Sequence, residues 1–342
     1  MSEKILFICG SLNQTTMMHK IARQLEEYDC FFTPYYADGM EGFAAGVGLL
    51  DFCVLGGRHM QETKAYLADN NLAIDYRGKN HKYDLVVTCS DLIIPNNIRG
   101  KRLVLVQEGI TEPEGIVYQL VKQFKLPRYL ANTATTGLSD AYDIFCVASH
   151  GYREHFIKKG VRPEKIAVSG IPNFDHLSTA CKNDFPFRDY VLVATSPLRE
   201  TFRPDDRIAF LYHCIQIAHG RPLIFKLHPT ENTKRATREI HRLIPEAQVL
   251  THGNINPMIA NASVVITQQS TCTFVAIALG KVVYTNLNIN ELKHLMPIQN
   301  GGMSAQKISE ISRRLLHIPM PVLEQVRRGY RARPKWEQAD LF

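Results

Sequence analysis

Leu223-Ile-Phe-Lys-Leu-His228-Pro229 starts as an apolar strand and ends in an imidazole and a proline. Further along, Val264-Val-Ile-Thr267 does the same and runs into Gln268-Gln269-Ser270-Thr271. In a parallel sheet the strand C-termini share one rim, and ligands bind on that rim. Both segments therefore place phosphate-binding groups at one edge. His228 can donate a hydrogen bond to a phosphate oxygen and, when protonated, offsets charge growing on a leaving group. Pro229 stops the strand and fixes the backbone beyond it. Lys226 falls on the same side of an ideal strand as His228 and offers a second cation. Glu231 lies just beyond, placed to orient a ribose or base. Ser270 suits the N-cap of a helix over Thr271–Leu279 with Gly280 as its stop. The start of such a helix exposes unpaired N–H groups and the positive end of the dipole. Taken alone, His-Pro also fits a surface histidine before a turn, and Ser-Thr also fits simple capping.

Working outward, strands alternate with helices along the whole chain. Lys4–Cys9, Cys30–Tyr36, Tyr83–Cys89, Arg102–Val106, Ile144–Ala148 and Lys165–Ser169 read as strands of a first block. Helices are expected from Thr15 or Thr16 to about Glu27, over 41–50, over 59–70 and over 149–159. A polar stretch, Cys181–Arg188, reads as a linker. A second block spans 187–318 and repeats the alternation. Residues 319–342 form a basic, mostly helical tail containing Arg327, Arg328, Arg331, Arg333 and Lys335. Alternation of this kind implies parallel sheets covered by helices on both faces. The expected architecture is α/β, with two Rossmann-like domains, 1–180 and 187–318, facing across a cleft. A terminal helix is free to pack back on the first domain.

The chain has 342 residues and a formal net charge of +7. Residues 1–180 carry 19 Lys and Arg against 20 Asp and Glu, whereas 181–342 carry 21 against 13. The excess sits in the half with the phosphate-binding loops, which suits an anionic ligand, and also fits a solvated basic face. No nucleic-acid-binding module accompanies it, so no nucleic acid is expected. The eight cysteines have no C-x-x-C spacing, and there is no H-E-x-x-H, so no metal is expected. No apolar run is long enough to cross a bilayer, and no secretory signal precedes the first strand. The expected location is cytoplasmic, with the basic tail a candidate for peripheral membrane contact.

In the first block, Val106-Gln107-Glu108-Gly109 puts a carboxylate and a glycine at a strand's C-terminal rim. Glu108 is the candidate general base for an acceptor hydroxyl, and Gly109 allows substrate to approach closely. Asp91, after Cys89-Ser90, is a second carboxylate by the same geometry. Gly10-Ser11 ends the first strand at a sharp turn. It lacks the G-x-G-x-x-G spacing of a dinucleotide site.

Two Rossmann-like halves with a phosphate-gripping second half resemble the GT-B glycosyltransferase architecture. Gln107-Glu108-Gly109, His228-Pro229 and Ser270-Thr271 are similar, in order, to the three short motifs of bacterial sialyltransferases and related capsule-type enzymes. In those motifs an acidic pair with Gly, a His-Pro and a serine pair recur. Asp143–Asp175 also looks like the end of the first domain in CDP-glycerol polyol-phosphate transferases and UDP-N-acetylglucosamine 2-epimerases. The resemblance implies an inverting, metal-independent glycosyltransferase with Glu108 as base and His228, Ser270 and Thr271 on the donor. The donor is implied to be a nucleotide-sugar, CMP-linked first and UDP-linked next, and the acceptor a glycan or glycolipid. No cofactor is expected beyond this substrate. An epimerase and a polyol-phosphate transferase are the alternatives. One departure is that Gln107 stands at the first acidic position.

Overall fold

The computed structural model describes residues 2–47, 55–112, 114–201, 203–268 and 270–332. Residues 1–175 with 297–342 form one compact unit, and 176–296 form another.

The first unit contains β1 (Lys4–Cys9), α1 (Leu12–Ala22), β2 (Asp29–Pro34), α2 (Gly39–Gly46), α3 (Gly57–Asp69), β3 (Leu85–Thr88), β4 (Arg102–Val106), α4 (Ile116–Phe124), β5 (Ile144–Val147), α5 (His150–Lys159) and β6 (Ile166–Val168). The second contains β7 (Val191–Ala194), α6 (Arg207–Ala218), β8 (Leu223–Lys226), α7 (Thr233–Leu243), β9 (Gln248–Leu250), α8 (Ile255–Asn261), β10 (Val264–Thr267), α9 (Cys272–Ala278), β11 (Val282–Tyr284) and α10 (Ile289–Leu295). The chain then returns to the first unit with α11 (Ser304–His317) and α12 (Met320–Ala332).

Valine, leucine and isoleucine fill β1, β3, β4 and β7, which are buried on both faces, as parallel strands under two helical layers must be. The first sheet has strand order β2-β1-β3-β4-β5-β6 and the second β11-β10-β7-β8-β9. All the pairings are parallel. In the first sheet the winding reverses between β1 and β3, and in the second between β7 and β10. These are the switch points where helices diverge to opposite faces and leave a crevice at the strand C-termini.

Local chemistry sets the helix starts. Ser149, Asp206 and Asn232 each accept a backbone N–H at the first turns of α5, α6 and α7. α1 is capped by Ser11 and ends at Ala22, so it begins before Thr15 and stops short of Glu27. Of the helix expected over 41–50, residues 48–50 lie outside the described residues.

The division of the chain also differs from the sequence expectation. Residues 297–318 join the first unit, where Arg102 donates to the carbonyls of Leu315 and Ile318. In the tail, Arg327 pairs with Asp143 at 2.7 Å and donates to the carbonyls of Gly100 and Lys101. It is packed on its own unit. Arg333 and Lys335 lie outside the described residues. Among the described residues, no helix is long and apolar enough to cross a membrane.

Candidate functional site

At the first switch point β1 ends in Gly10-Ser11 and the chain turns into α1. Ser11 Oγ accepts from Gln14 N–H at 3.3 Å and donates to Glu108 Oε1 at 3.0 Å. Asn13 Nδ2 donates to the same carboxylate oxygen at 3.4 Å, and Gln14 Nε2 donates to Oε2. Glu108 comes from the end of β4, and its partly exposed carboxylate lies against the N-terminus of an 11-residue helix. Asn173 braces Asn13 with bonds of 2.8 Å and 3.0 Å. The Gly10 carbonyl accepts from Thr63 at 2.7 Å. A Cβ on Gly10 would meet Gln14 Oε1 at 1.7 Å, so any larger residue displaces the amide that holds Glu108. Thus the Gly10-Ser11 turn and Glu108, distant in sequence, form one cluster. Of the buried thiols nearby, burial pushes Cys9 up to about 12, and burial with the Glu108 charge pushes Cys89 well above its ordinary range.

Gln107 is buried, and its amide works in both directions. Nε2 donates to the Gly109 carbonyl at 2.9 Å and Oε1 accepts from Ala148 N–H at 2.9 Å. A carboxylate could not make the first bond, which accounts for an amide at this position. The Gly109 carbonyl is thereby fixed. Asp91 is a correction: it is fully buried and accepts the N–H groups of Gly137 and Ser139, both at 3.0 Å. It pins a loop and presents no carboxylate at the rim.

In the second unit, Lys226 and Thr267 lie level with Ala194 on either side of β7. The ends of β8 and β10 are therefore two strand spacings apart, about 10 Å. The His228 backbone N–H donates to Glu231 Oε2 at 3.0 Å and Thr195 Oγ1 at 3.2 Å. Its Nδ1 lies 2.8 Å from Thr230 Oγ1 and accepts Thr230 N–H at 3.3 Å. A nitrogen that accepts a backbone N–H carries no proton, so the hydrogen-bond network assigns the neutral ring's proton to Nε2. His228 is thus held as a donor through Nε2.

Glu231 and Lys226 are corrections. The Glu231 carboxylate is buried, paired with Arg207 at 2.6 Å and bonded to Thr195. It organises the His228 turn from beneath and offers no oxygen for a ribose. The Lys226 ammonium is buried and donates to the carbonyls of Leu227 at 3.0 Å and Thr251 at 3.4 Å. Its charge still lies close enough to oppose the upward push that burial gives the Cys272 thiol.

Ser270 Oγ accepts Cys272 N–H at 3.2 Å, and the helix there begins at Cys272, one residue later than expected, and runs for only seven residues. Thr271, at its N-cap, makes no side-chain capping bond. Gln269 lies outside the described residues.

Sequence reading missed Arg207, Asp205 and Thr273, and quoted Thr267 and Gln268 only as part of the stretch, without a role of their own. Gln268 Nε2 donates to Asp205 Oδ1 at 3.4 Å, and Asp205 Oδ2 pairs with Arg207 at 3.2 Å and Arg199 at 3.1 Å. Arg207 Nη1, Gln268 Oε1, Thr267 Oγ1 and Thr273 Oγ1 are buried with no hydrogen-bond partner among the described residues. A lone unpaired buried polar atom costs about 1–3 kcal/mol, so four around the end of β10 call for a ligand or water. The signal available was a pair of polar residues ending an apolar strand at the switch point.

No protein-family model matches the chain, and no curated protein matches it by sequence. Solved structures match it over nearly its full length. The UDP-GlcNAc 2-epimerase of Neisseria meningitidis bound to UDP-GlcNAc is 11% identical with a TM-score of 0.56, over 91% of this chain and 100% of that one. The UDP-N-acetylglucosamine 2-epimerase of Rickettsia bellii is 12% identical with a TM-score of 0.52, over 97% and 100%. A variant of the wall teichoic acid polymerase TagF is 10% identical with a TM-score of 0.51, over 95% and 90%. At these identities the likeness is one of fold. The chain has two parallel sheets in an α/β fold of the GT-B type, without pointing to sialyltransferases in particular.

Proposed function

We propose that this protein is a GT-B-type glycosyltransferase that moves a sugar from a nucleotide-sugar to a hydroxyl of a glycan or glycolipid, with inversion. Glu108 takes the acceptor proton. His228, through Nε2–H, donates to the donor phosphate as charge grows on it, with Ser270 and Thr271 at the same rim. The observation that carries this reading is the Glu108 cluster, a single oriented carboxylate at a switch point. Direct displacement needs one base. Inverting C2 of a sugar by proton removal and return needs a proton-transfer group on each face of the ring. Of the carboxyl or amide groups at this rim, Gln107 is neutral and Asp91 is buried in a loop, so one base fits better than two. The CMP-linked donor comes from the motif resemblance. The UDP-GlcNAc bound by the Neisseria structure puts a UDP-linked donor beside it.

The second reading, a UDP-sugar 2-epimerase, draws its support from the two epimerases that share the fold. Incubation of the protein with UDP-GlcNAc or a CMP-linked sugar, followed by NMR, separates the readings. Slow donor hydrolysis with C2 configuration retained, accelerated by an acceptor hydroxyl, is the expected result. Accumulation of the C2 epimer without acceptor would replace transfer by epimerisation.

A further inference from the structure

A cavity of about 410 Å³ in the first unit is lined by Arg99 and Gly100, just ahead of β4, and by Ser139 and Tyr142, just ahead of β5. It lies at the N-terminal edge of the first sheet, about 16 Å along β4 from the rim that holds Glu108. Its volume is that of a small-molecule site. A Cβ on Gly100 would meet nothing within 4 Å, so the space beside it is open.

The charges around this cavity do not cancel. Arg327 is matched by Asp143, whereas Lys165 and Arg162 share one carboxylate, Asp140. Asp91 stands behind Arg128, which donates to the Asp91 carbonyl at 2.8 Å. Glu324, the other carboxylate near Arg327, pairs with Arg328 at 3.9 Å. Arg99, which is exposed, forms no ion pair among the described residues. These six cations therefore face four carboxylates, an excess of two.

Hydrogen-bond donors are also left over. Arg99 commits only Nε, to the Ile94 carbonyl at 3.3 Å, which leaves Nη1 and Nη2. Arg128 commits Nη2 to the Asp91 and Leu92 carbonyls, and its buried Nε has no partner among the described residues. Ser139 Oγ accepts Ala141 N–H at 3.2 Å, which leaves its hydroxyl proton.

We propose that this cavity binds a small phosphorylated molecule, at a site separate from Glu108 and from the His228 turn. A guanidinium fork matches the oxygens of a phosphate or a carboxylate. A phosphate monoester carries a charge of about −1.5 to −2 at neutral pH, which meets the excess of two, whereas a carboxylate leaves one cation unmatched. Arg99 and Ser139 donate to the phosphate oxygens. Ile94 and Tyr142 supply apolar wall for the body of a molecule such as a sugar phosphate. The proposal does not rest on the chemistry assigned to Glu108, because its readout is binding.

Isothermal titration of the full chain with glucose 1-phosphate at fixed ionic strength tests it. His228→Ala serves as the background, so that the rim of the second sheet does not contribute. This variant is expected to bind about one equivalent. Adding Arg99→Glu is expected to weaken binding by about tenfold or more, and adding Ser139→Ala by about threefold. Arg99→Glu is expected to leave the melting temperature without ligand unchanged, since Arg99 is exposed. Acetate is expected to bind at least about tenfold more weakly than glucose 1-phosphate. Absence of binding in His228→Ala would overturn the proposal, as would binding that Arg99→Glu and Ser139→Ala leave undiminished. Acetate binding as tightly as glucose 1-phosphate would overturn the assignment to a phosphate.

Discussion

Glu108 and Glu231 both follow an apolar strand at the C-terminal rim of a parallel sheet, and the structure gives them opposite surroundings. Glu108 is partly exposed and held at the start of α1 by Ser11, Asn13 and Gln14. Glu231 is buried, with its oxygens taken by Arg207, Thr195 and the His228 backbone. Position on the rim is shared, so it does not decide function. What decides is whether the neighbours orient the carboxylate and leave it accessible, or neutralise it and wall it in. On the proposed function the first kind is the reagent. The second is scaffold, and here it shapes the turn that presents His228.

Substitutions break this contrast in order of expected effect. Glu108→Gln keeps the hydrogen-bond acceptor on one side and removes the base. Transfer is expected to fall by about 10²–10⁴-fold, while stability falls by about 1–2 kcal/mol because the new amide NH2 faces one of the donors that hold the carboxylate. Steady-state rates and a denaturant melt on the same sample check both halves. Glu231→Ala is expected to do the reverse in kind. It strands the Arg207 guanidinium, which is buried, and removing one partner of a buried pair costs about 3–5 kcal/mol, read from the urea midpoint. Equal stability losses for the two variants would erase the distinction between reagent and scaffold.

Gly10→Ala tests the holding of Glu108 without touching it. The new Cβ displaces the Gln14 amide, and a rate loss of about tenfold is expected with nucleotide binding unchanged. Gln14→Ala should reproduce that loss if the displaced amide is the cause.

A pH dependence lies far from either rim. Burial, helped by Lys159 and Lys158, lowers the His155 pKa from 6.5 to about 4. The unfolded chain therefore takes up a proton that the folded one refuses. The stability this contributes is complete above about pH 6.5 and is lost as the pH falls towards 4. In melts across that range, the His155→Leu variant is expected to lose less stability than the wild type. Parallel curves would show that His155 does not titrate differently on folding.

The alternation of apolar strands and amphipathic helices was enough to read two parallel sheets, because both signals are local. The return of α11 and α12 to the first unit was not legible, since nothing local in Ser304–His317 names the surface that it packs on. The site divides in the same way. Gly10-Ser11 was visible as a turn, and Glu108 and His228 as polar residues, ending strands. Asp91, Glu231 and Lys226 looked identical by that criterion, and burial separates them only once the loops fold over them. Gln107 looked like a defect in an acidic pair. The structure gives it two bonds, one of which only an amide can make. Arg207 was hidden because it begins α6 beside its cap Asp206, where a charged residue looks ordinary.

The central claim is that a nucleotide is held at the rim of the second sheet by the His228 turn. The most direct measurement is the melting temperature with CMP, CDP, UDP and GDP for the wild type, His228→Ala and Glu108→Gln. The account predicts that CMP or UDP stabilises the wild type and Glu108→Gln alike, and that the shift disappears in His228→Ala. No shift with any nucleotide, or a shift that survives in His228→Ala and vanishes in Glu108→Gln, would contradict it.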